Sequence, residues 1–211
     1  QAMSKRIVID PVTRIEGHAK ISIFMDDAGN VANAEFHVVE FRGFEKFCEG
    51  RPFGEMPGIT PRICGICPVS HHLAACKALD QVVGATTLTP TAEKIRRLMH
   101  YGQILQSHAL HFFHLASPDL LFGFDSPLEK RNIVGVAAEY PDIARKGVLL
   151  RKYGQEVIRV TAGKRIHGTG AVPGGVNKSL TAAERDELKK DVYQMIAWSR
   201  DAVRLVRRLF E

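Results

Sequence analysis

Two hydrophobic rhythms divide this chain, and the change between them falls near Phe41. Before it, apolar side chains alternate: Ile21, Ile23 and Met25 share one face of residues 19–25. The turn cluster Asp26-Asp27-Ala28-Gly29-Asn30 follows, and residues 31–39 return as a second run. Alternation on both sides of a glycine-containing turn is the pattern of a β-hairpin. Residues 5–10, ended by Pro11, supply a further short strand. A period of two cannot bury one helix face, so residues 1–40 are expected to form a small antiparallel sheet.

After Phe41 the period becomes helical. Residues 50–63 are broken by Gly50, Pro52, Gly54, Pro57, Gly58 and Pro61 and are expected to be a loop. Pro68 suits the first turn of a helix reaching Val83. Thr89-Pro90-Thr91-Ala92-Glu93 reads as a helix start, and Ile95, Leu98, Met99, Leu105, Ala109, Phe112 and Phe113 keep the helical period to about residue 116. Another helix is expected over 141–162, then a glycine-rich loop over 163–180. Thr181-Ala-Ala-Glu184 is a capping-box pattern. It opens a helix that gathers Leu188, Val192, Met195, Ile196, Ser199, Val203, Val206 and Phe210 on one face. That pattern reaches Glu211 without a C-cap signal, which leads us to expect a longer chain. The fold class expected is α+β, mainly α: a small N-terminal antiparallel sheet (1–40), then a long-helix bundle (41–211) forming part of one larger domain.

The composition is that of an ordinary globular protein, 45% hydrophobic and 25% charged over 211 residues, with no transmembrane run. Net charge is +6, but acidic residues are interleaved with basic ones and no aromatic nucleic-acid motif accompanies them, so nucleic acid is not an expected partner. The first residues carry no signal-peptide pattern, and Gln1-Ala2 ahead of Met3 reads as an added extension. The cysteines at 48, 64, 67 and 76 are too few for a secreted disulfide framework. They point to a reducing compartment, so a cytoplasmic location is expected.

Cys64-Gly-Ile-Cys67 stands where the Pro/Gly loop meets the helix beginning at Pro68. The spacing brings two sulfurs within reach of one ion. Gly65 is expected to permit the tight turn. A helix N-terminus and the nearby Arg62 both favour thiolate over thiol, and thiolates select soft or borderline metals such as zinc, nickel, copper(I) or iron–sulfur. A thioredoxin-type redox pair would want a strand before the motif. A zinc ribbon would want a second pair, and His71-His72 is the nearest substitute. A metal centre completed by ligands elsewhere fits better than either, and two buried cysteines without a role remain the plainest alternative.

Three linked segments make the sequence recognisable. Arg62-Ile-Cys-Gly-Ile-Cys-Pro-Val-Ser-His71 resembles the first cysteine motif of nickel–iron hydrogenase large subunits. Asp10-Pro-Val-Thr-Arg-Ile-Glu-Gly-His18 resembles their N-terminal signature, and Phe41-Arg-Gly-Phe-Glu45 the segment between. Pro173-Gly-Gly-Val176 resembles a further loop of the family. The wording is most similar to the cytoplasmic NAD-reducing branch.

The resemblance implies a catalytic subunit for reversible oxidation of H2 to protons and electrons. It implies a nickel–iron centre whose iron carries cyanide and carbon monoxide, held by four thiolates from two CxxC motifs. Cys64 and Cys67 would be the first pair, with Cys67 bridging to iron. The same resemblance makes Glu16 the proton-relay carboxyl, Glu45 a ligand of a magnesium ion, and His71 a hydrogen-bond donor to a cysteine sulfur. Arg62 would sit near the centre. The partners implied are an iron–sulfur small subunit, flavin and NAD (diaphorase) subunits, and a C-terminal segment carrying the second CxxC, which this sequence lacks. Ser107 stands where many family members have an aspartate.

Two other features invite a site. His100, His108, His111 and His114 form a stripe that we expect to be a polar face. Gly168–Gly174 has a misplaced proline and no following acid for a dinucleotide loop, so NAD is expected on another subunit. Two alternatives to an active catalytic subunit stand: a structural subunit similar to the quinone-site subunit of respiratory complex I, and a truncated or immature metal-free form.

Overall fold

The computed structural model describes residues 5–211, so the Gln1-Ala2 extension lies outside the described residues. The chain divides into two compact units, Gln1–Phe47 and Cys48–Glu211.

In the first unit, strands β1 (Arg6–Ile9), β2 (Ala19–Met25) and β3 (Val31–Val38) form one antiparallel sheet in that order. Ile9 pairs with Ile21, and Ile21 with Phe36. The hairpin turn closes as its residue types demand: the Asn30 amide donates to the Asp26 carboxylate at 2.8 Å, and Gly29 takes φ +84°. The alternation located the strands, but the enclosed side chains of the central strand are Ala19 and the fully buried Ser22, and not the isoleucines. Ser22 is satisfied there by Arg6 at 3.0 Å and His37 at 3.1 Å. Helix α1 (Phe44–Cys48) follows.

The second unit is helical, and it corrects the expected loop over 50–63. That stretch is a run of short helical turns: a 3₁₀ turn (Phe53–Glu55), α2 (Met56–Ile59) and a second 3₁₀ turn (Thr60–Ile63). Pro57 and Pro61 sit in first-turn positions, where a missing N–H costs nothing, so these prolines begin helical turns instead of breaking them. Then come α3 (Pro68–Val82), α4 (Pro90–Leu110), α5 (Ser117–Phe122), α6 (Ile133–Glu139), α7 (Pro141–Ala162), the small hairpin β4 (Ala171–Val172) with β5 (Gly175–Val176), and α8 (Ala182–Phe210).

Thr89 caps α4 by accepting from the Ala92 amide, and Thr181 with Glu184 forms the full capping box of α8. Between α4 and α5 the chain winds through a π-helical turn, His111–Ala116, where a plain continuation to about residue 116 was expected. The glycine-rich 163–180 segment is not all loop, because it contains the β4–β5 hairpin.

The core joins α3, α4 and α7 through Val69, Met99, Ile158 and Ala162, and joins α4, α7 and α8 through Ala109, Leu150 and Met195. Two glycines let α4 and α7 touch backbone to backbone. A Cβ on Gly102 would stand 2.9 Å from Val157 Cγ1, and one on Gly154 only 2.7 Å from the Gly102 carbonyl and 2.8 Å from Gln106. The apolar face expected on α8 is covered at Leu188 and Met195, while Val203 and Phe210 are exposed.

A buried ion pair fastens the β4–β5 hairpin. Arg96 holds Asp80 through two bonds, 2.6 and 3.1 Å, and also donates to the carbonyls of Val172 (2.7 Å) and Gly175 (3.1 Å). The Gly174 amide donates to Asp80 at 2.7 Å. The guanidinium beside Asp80 holds its carboxyl below the ordinary value of 3.8. A carboxyl lowered in the folded state contributes stability above its unfolded pKa and loses it as pH falls through the folded one. Arg96→Leu, which strands a buried carboxylate, should cost about 3–5 kcal/mol in denaturant unfolding. Asp80→Asn should remove the part of acid destabilisation that sets in below pH 3.8.

Candidate metal centre

Cys64 ends the second 3₁₀ turn in extended backbone (φ −143°, ψ 130°), and Cys67 precedes Pro68 at the start of α3. Between them the chain reverses, and the Cys67 amide donates to Cys64 Sγ at 3.1 Å. His71 lies one turn into α3. The two sulfurs and a His71 ring nitrogen all fall within 4.8 Å of one another, the one such group of three or more potential ligands among the described residues. Cys64 is buried, and Cys67 and His71 are half-buried. No disulfide joins any of the cysteines. Two thiol sulfurs and an imidazole at the N-terminus of a 15-residue helix make a donor set suited to a soft or borderline cation.

Gly65 corrects an expectation. Its φ is not positive, and a Cβ there would meet nothing within 4 Å, so the turn closes without needing a glycine. The reversal is made by the change from extended backbone at Cys64 to helical backbone after Cys67.

The other candidates have distinct settings. The Arg62 guanidinium donates to the Gly58 carbonyl, within the short helical turns that lead into Cys64. Glu16 and Glu45 belong to the first unit, Glu16 exposed in the connection between β1 and β2 and Glu45 exposed in the first turn of α1. Arg14 and Gly17, on either side of Glu16, both have positive φ, which shapes that connection. His18 is bonded to Glu40. Cys76 is fully buried, and burial pushes its thiol up to about 11. Cys48 is half-buried. His100, His108 and His111 are exposed and His114 half-buried, and this stripe does not converge on a shared ligand position.

Several residues that brace the cysteine turn were not among the expected site residues. His72 is fully buried next to His71. The Pro57 carbonyl accepts from its Nδ1 at 2.8 Å, and the Ala171 amide donates to its Nε2 at 3.0 Å. One partner only accepts and the other only donates, so the imidazole is neutral with its proton on Nδ1. It ties α2 and β4 to the cysteine helix. Gln103 and Gln106, each 3% exposed, donate to the Ile66 carbonyl inside the cysteine turn. Their signal was present in the sequence: both fall on the apolar stripe of α4 with Met99 and Ala109, where a polar residue needs a buried partner.

A HoxL-like family model matches residues 6–41, and a model described as nickel-dependent hydrogenase matches residues 42–122. The chain belongs to the nickel-dependent hydrogenase family. It is 51% identical over 214 aligned residues to the beta chain of the NAD-reducing hydrogenase HoxS of Cupriavidus necator, an alignment covering 96% of this chain and 44% of that protein. It is 47% identical to one of the subunits of the vhu F420-non-reducing hydrogenase of Methanocaldococcus jannaschii, covering 98% and 49%.

Among solved structures, an NAD+-reducing [NiFe]-hydrogenase in the H2-reduced state matches with TM-score 0.95 and 58% identity over 98% of this chain and 46% of that one. The Ni-Fe-Se hydrogenase of D. vulgaris Hildenborough matches at 0.78 and 29%, covering 97% and 44%. The chain therefore spans about half the length of the hydrogenase subunits it matches. The α+β reading, small sheet before helical bundle, is that of these large subunits.

Burial lowers the His72 pKa from its ordinary 6.5. A histidine held neutral adds stability above its unfolded pKa and loses it on acidification below that value. Thermal unfolding midpoints should therefore fall between pH 7 and 5, and His72→Phe should flatten that dependence. The same substitution, by leaving the Ala171 amide unpaired, should cost about 1–3 kcal/mol at pH 7.5.

Proposed function

We propose that this chain belongs to a catalytic hydrogenase subunit, and that Cys64 and Cys67 are one pair of its nickel ligands. The observation that carries this is the convergence of Cys64, Cys67 and His71 within 4.8 Å, in a chain of the nickel-dependent hydrogenase family. The reaction proposed is reversible oxidation of H2 to protons and electrons. When bound, the nickel–iron centre would supply the redox-active, Lewis-acid chemistry for heterolytic splitting of H2.

The chain's own residues do the rest. Cys64 and Cys67 supply two soft donors whose spacing is fixed by the N–H···S bond between them. His71 has a ring nitrogen within 4.8 Å of the same sulfurs, and its proposed role is to donate a ring N–H that stabilises thiolate charge and orients the ligand. Arg62 adds positive charge to the approach to Cys64. Glu16, which matches the proton-relay carboxyl of the family's N-terminal signature, is proposed as the residue that carries the proton away. Glu45 supplies an oxygen ligand to a magnesium ion, a hard cation that takes carboxylates. Cys64 and Cys67 are two donors of a four-thiolate set, and a C-terminal segment with a second CxxC supplies the others.

The relatives' names support the finer reading. The HoxS protein is a subunit of an NAD-reducing hydrogenase, and the methanogen proteins are subunits of F420-non-reducing hydrogenases. We place this chain in a hetero-oligomeric, cytoplasmic, NAD-reducing enzyme. Electrons pass to an iron–sulfur small subunit, then to flavin and NAD on other subunits. No helix here is long and apolar enough to cross a membrane.

The test is hydrogen–deuterium exchange activity of the full complex. Cys64→Ser and Cys67→Ser should each abolish it together with nickel content. Glu16→Gln should retain nickel while lowering exchange by roughly 100-fold or more, the usual contribution of a positioned proton carrier. Full activity in Cys64→Ser would refute the assignment.

A further inference from the structure

Two side-chain amides of α4 converge on one backbone carbonyl inside the cysteine turn. Gln103 Nε2 lies 3.1 Å, and Gln106 Nε2 2.8 Å, from the oxygen of Ile66. The carbonyl can only accept, so both amides must present nitrogen to it. For Gln103 that orientation leaves Oε1 buried without a partner among the described residues, so the bond to Ile66 is what orients this side chain. The close approach of Gly154 to Gln106 confines the second amide: its Cβ lies 2.8 Å from where a Gly154 Cβ would stand.

The other end of this peptide unit is the Cys67 N–H, which donates to Cys64 Sγ at 3.1 Å. One planar amide thus carries two donors on its oxygen and a sulfur acceptor on its nitrogen. Donation to the carbonyl polarises the amide and strengthens the hydrogen bond its N–H gives. A stronger N–H···S bond withdraws charge from the sulfur and fixes its direction. Hydrogen bonds to ligand sulfurs are among the means by which a protein sets a metal's potential.

We propose that Gln103 and Gln106 are positioning residues that act through the Ile66–Cys67 peptide to orient the Cys64 sulfur and tune its electron density as a metal ligand. The inference rests on the reading of Cys64 as a nickel ligand.

Gln103→Met, Gln106→Met and the double variant, made in the full-length complex, keep side-chain length and remove the donors. Gln194→Met, an exposed change on α8, is the control. Three readings are taken: nickel content, the midpoint potential of the nickel signal in a redox titration followed by electron paramagnetic resonance, and deuterium exchange of the Cys67 amide. The expected result is retained nickel, a shift to more negative potential that is larger in the double variant, and amide exchange roughly five- to tenfold faster per donor lost. A role in packing alone would move stability and leave the potential in place.

Full nickel with an unchanged potential in the double variant overturns the proposal. Where the double variant loads no nickel, the single variants decide: a shifted potential with faster Cys67 exchange supports it, and unchanged exchange in both overturns it. Normal nickel in Cys64→Ser would instead sink the ligand assignment, while the exchange readings would still report on the relay.

Discussion

Backbone contact between α4 and α7 is the constraint on which the helical unit depends. At Gly102 and Gly154 the two helices meet with no room for a Cβ on either. That proximity aligns the buried stripe of α4, so that Met99 packs with Val69 and Ile158 while Gln103 and Gln106 reach the cysteine turn. A methyl group on Gly154 would press on the Gly102 carbonyl and on the Cβ and backbone nitrogen of Gln106, so holding α7 off would move Gln106 with the backbone of α4. A packing requirement between two helices thereby reaches the residues that hold the cysteine turn.

Around that contact, three sets of buried polar groups tie neighbouring elements together. The glutamines take the cysteine turn, neutral His72 takes α2 and β4, and the Asp80–Arg96 pair takes the β4–β5 hairpin. Each is buried and each is bonded to backbone from another element. Buried polar groups cost free energy unless satisfied, so these bonds favour the arrangement in which Cys64, Cys67 and His71 lie within 4.8 Å of one another.

Much of this was legible in the sequence, and the unread parts have physical causes. The helix starts at Thr89 and Thr181 were readable because capping is local chemistry. The strands were readable because their period is two. The short helical turns over 53–63 were missed because proline breaks a helix only in its interior, and single turns have no interior. The π-helical turn at His111–Ala116 was missed because its apolar residues keep a near-helical spacing. Cys64 and Cys67 were singled out because their CxxC spacing brings two sulfurs together, and His71 because the segment that ends on it resembles a family motif; the fold gathers all three within 4.8 Å. His72, Gln103, Gln106, Asp80 and Arg96 act on partners that are distant in sequence, up to 99 residues away for His72, so even where a polar residue on an apolar stripe signals burial, as at Gln103 and Gln106, no local pattern names its partner.

The fold leaves one chemical question at its centre, namely whether the sulfurs of Cys64 and Cys67 hold nickel. Anomalous X-ray diffraction collected on either side of the nickel absorption edge, from crystals of the full-length complex, answers it most directly. The account predicts a nickel peak bonded to both Cys64 Sγ and Cys67 Sγ, with His71 next to one of them. A nickel peak bonded to neither sulfur would contradict it.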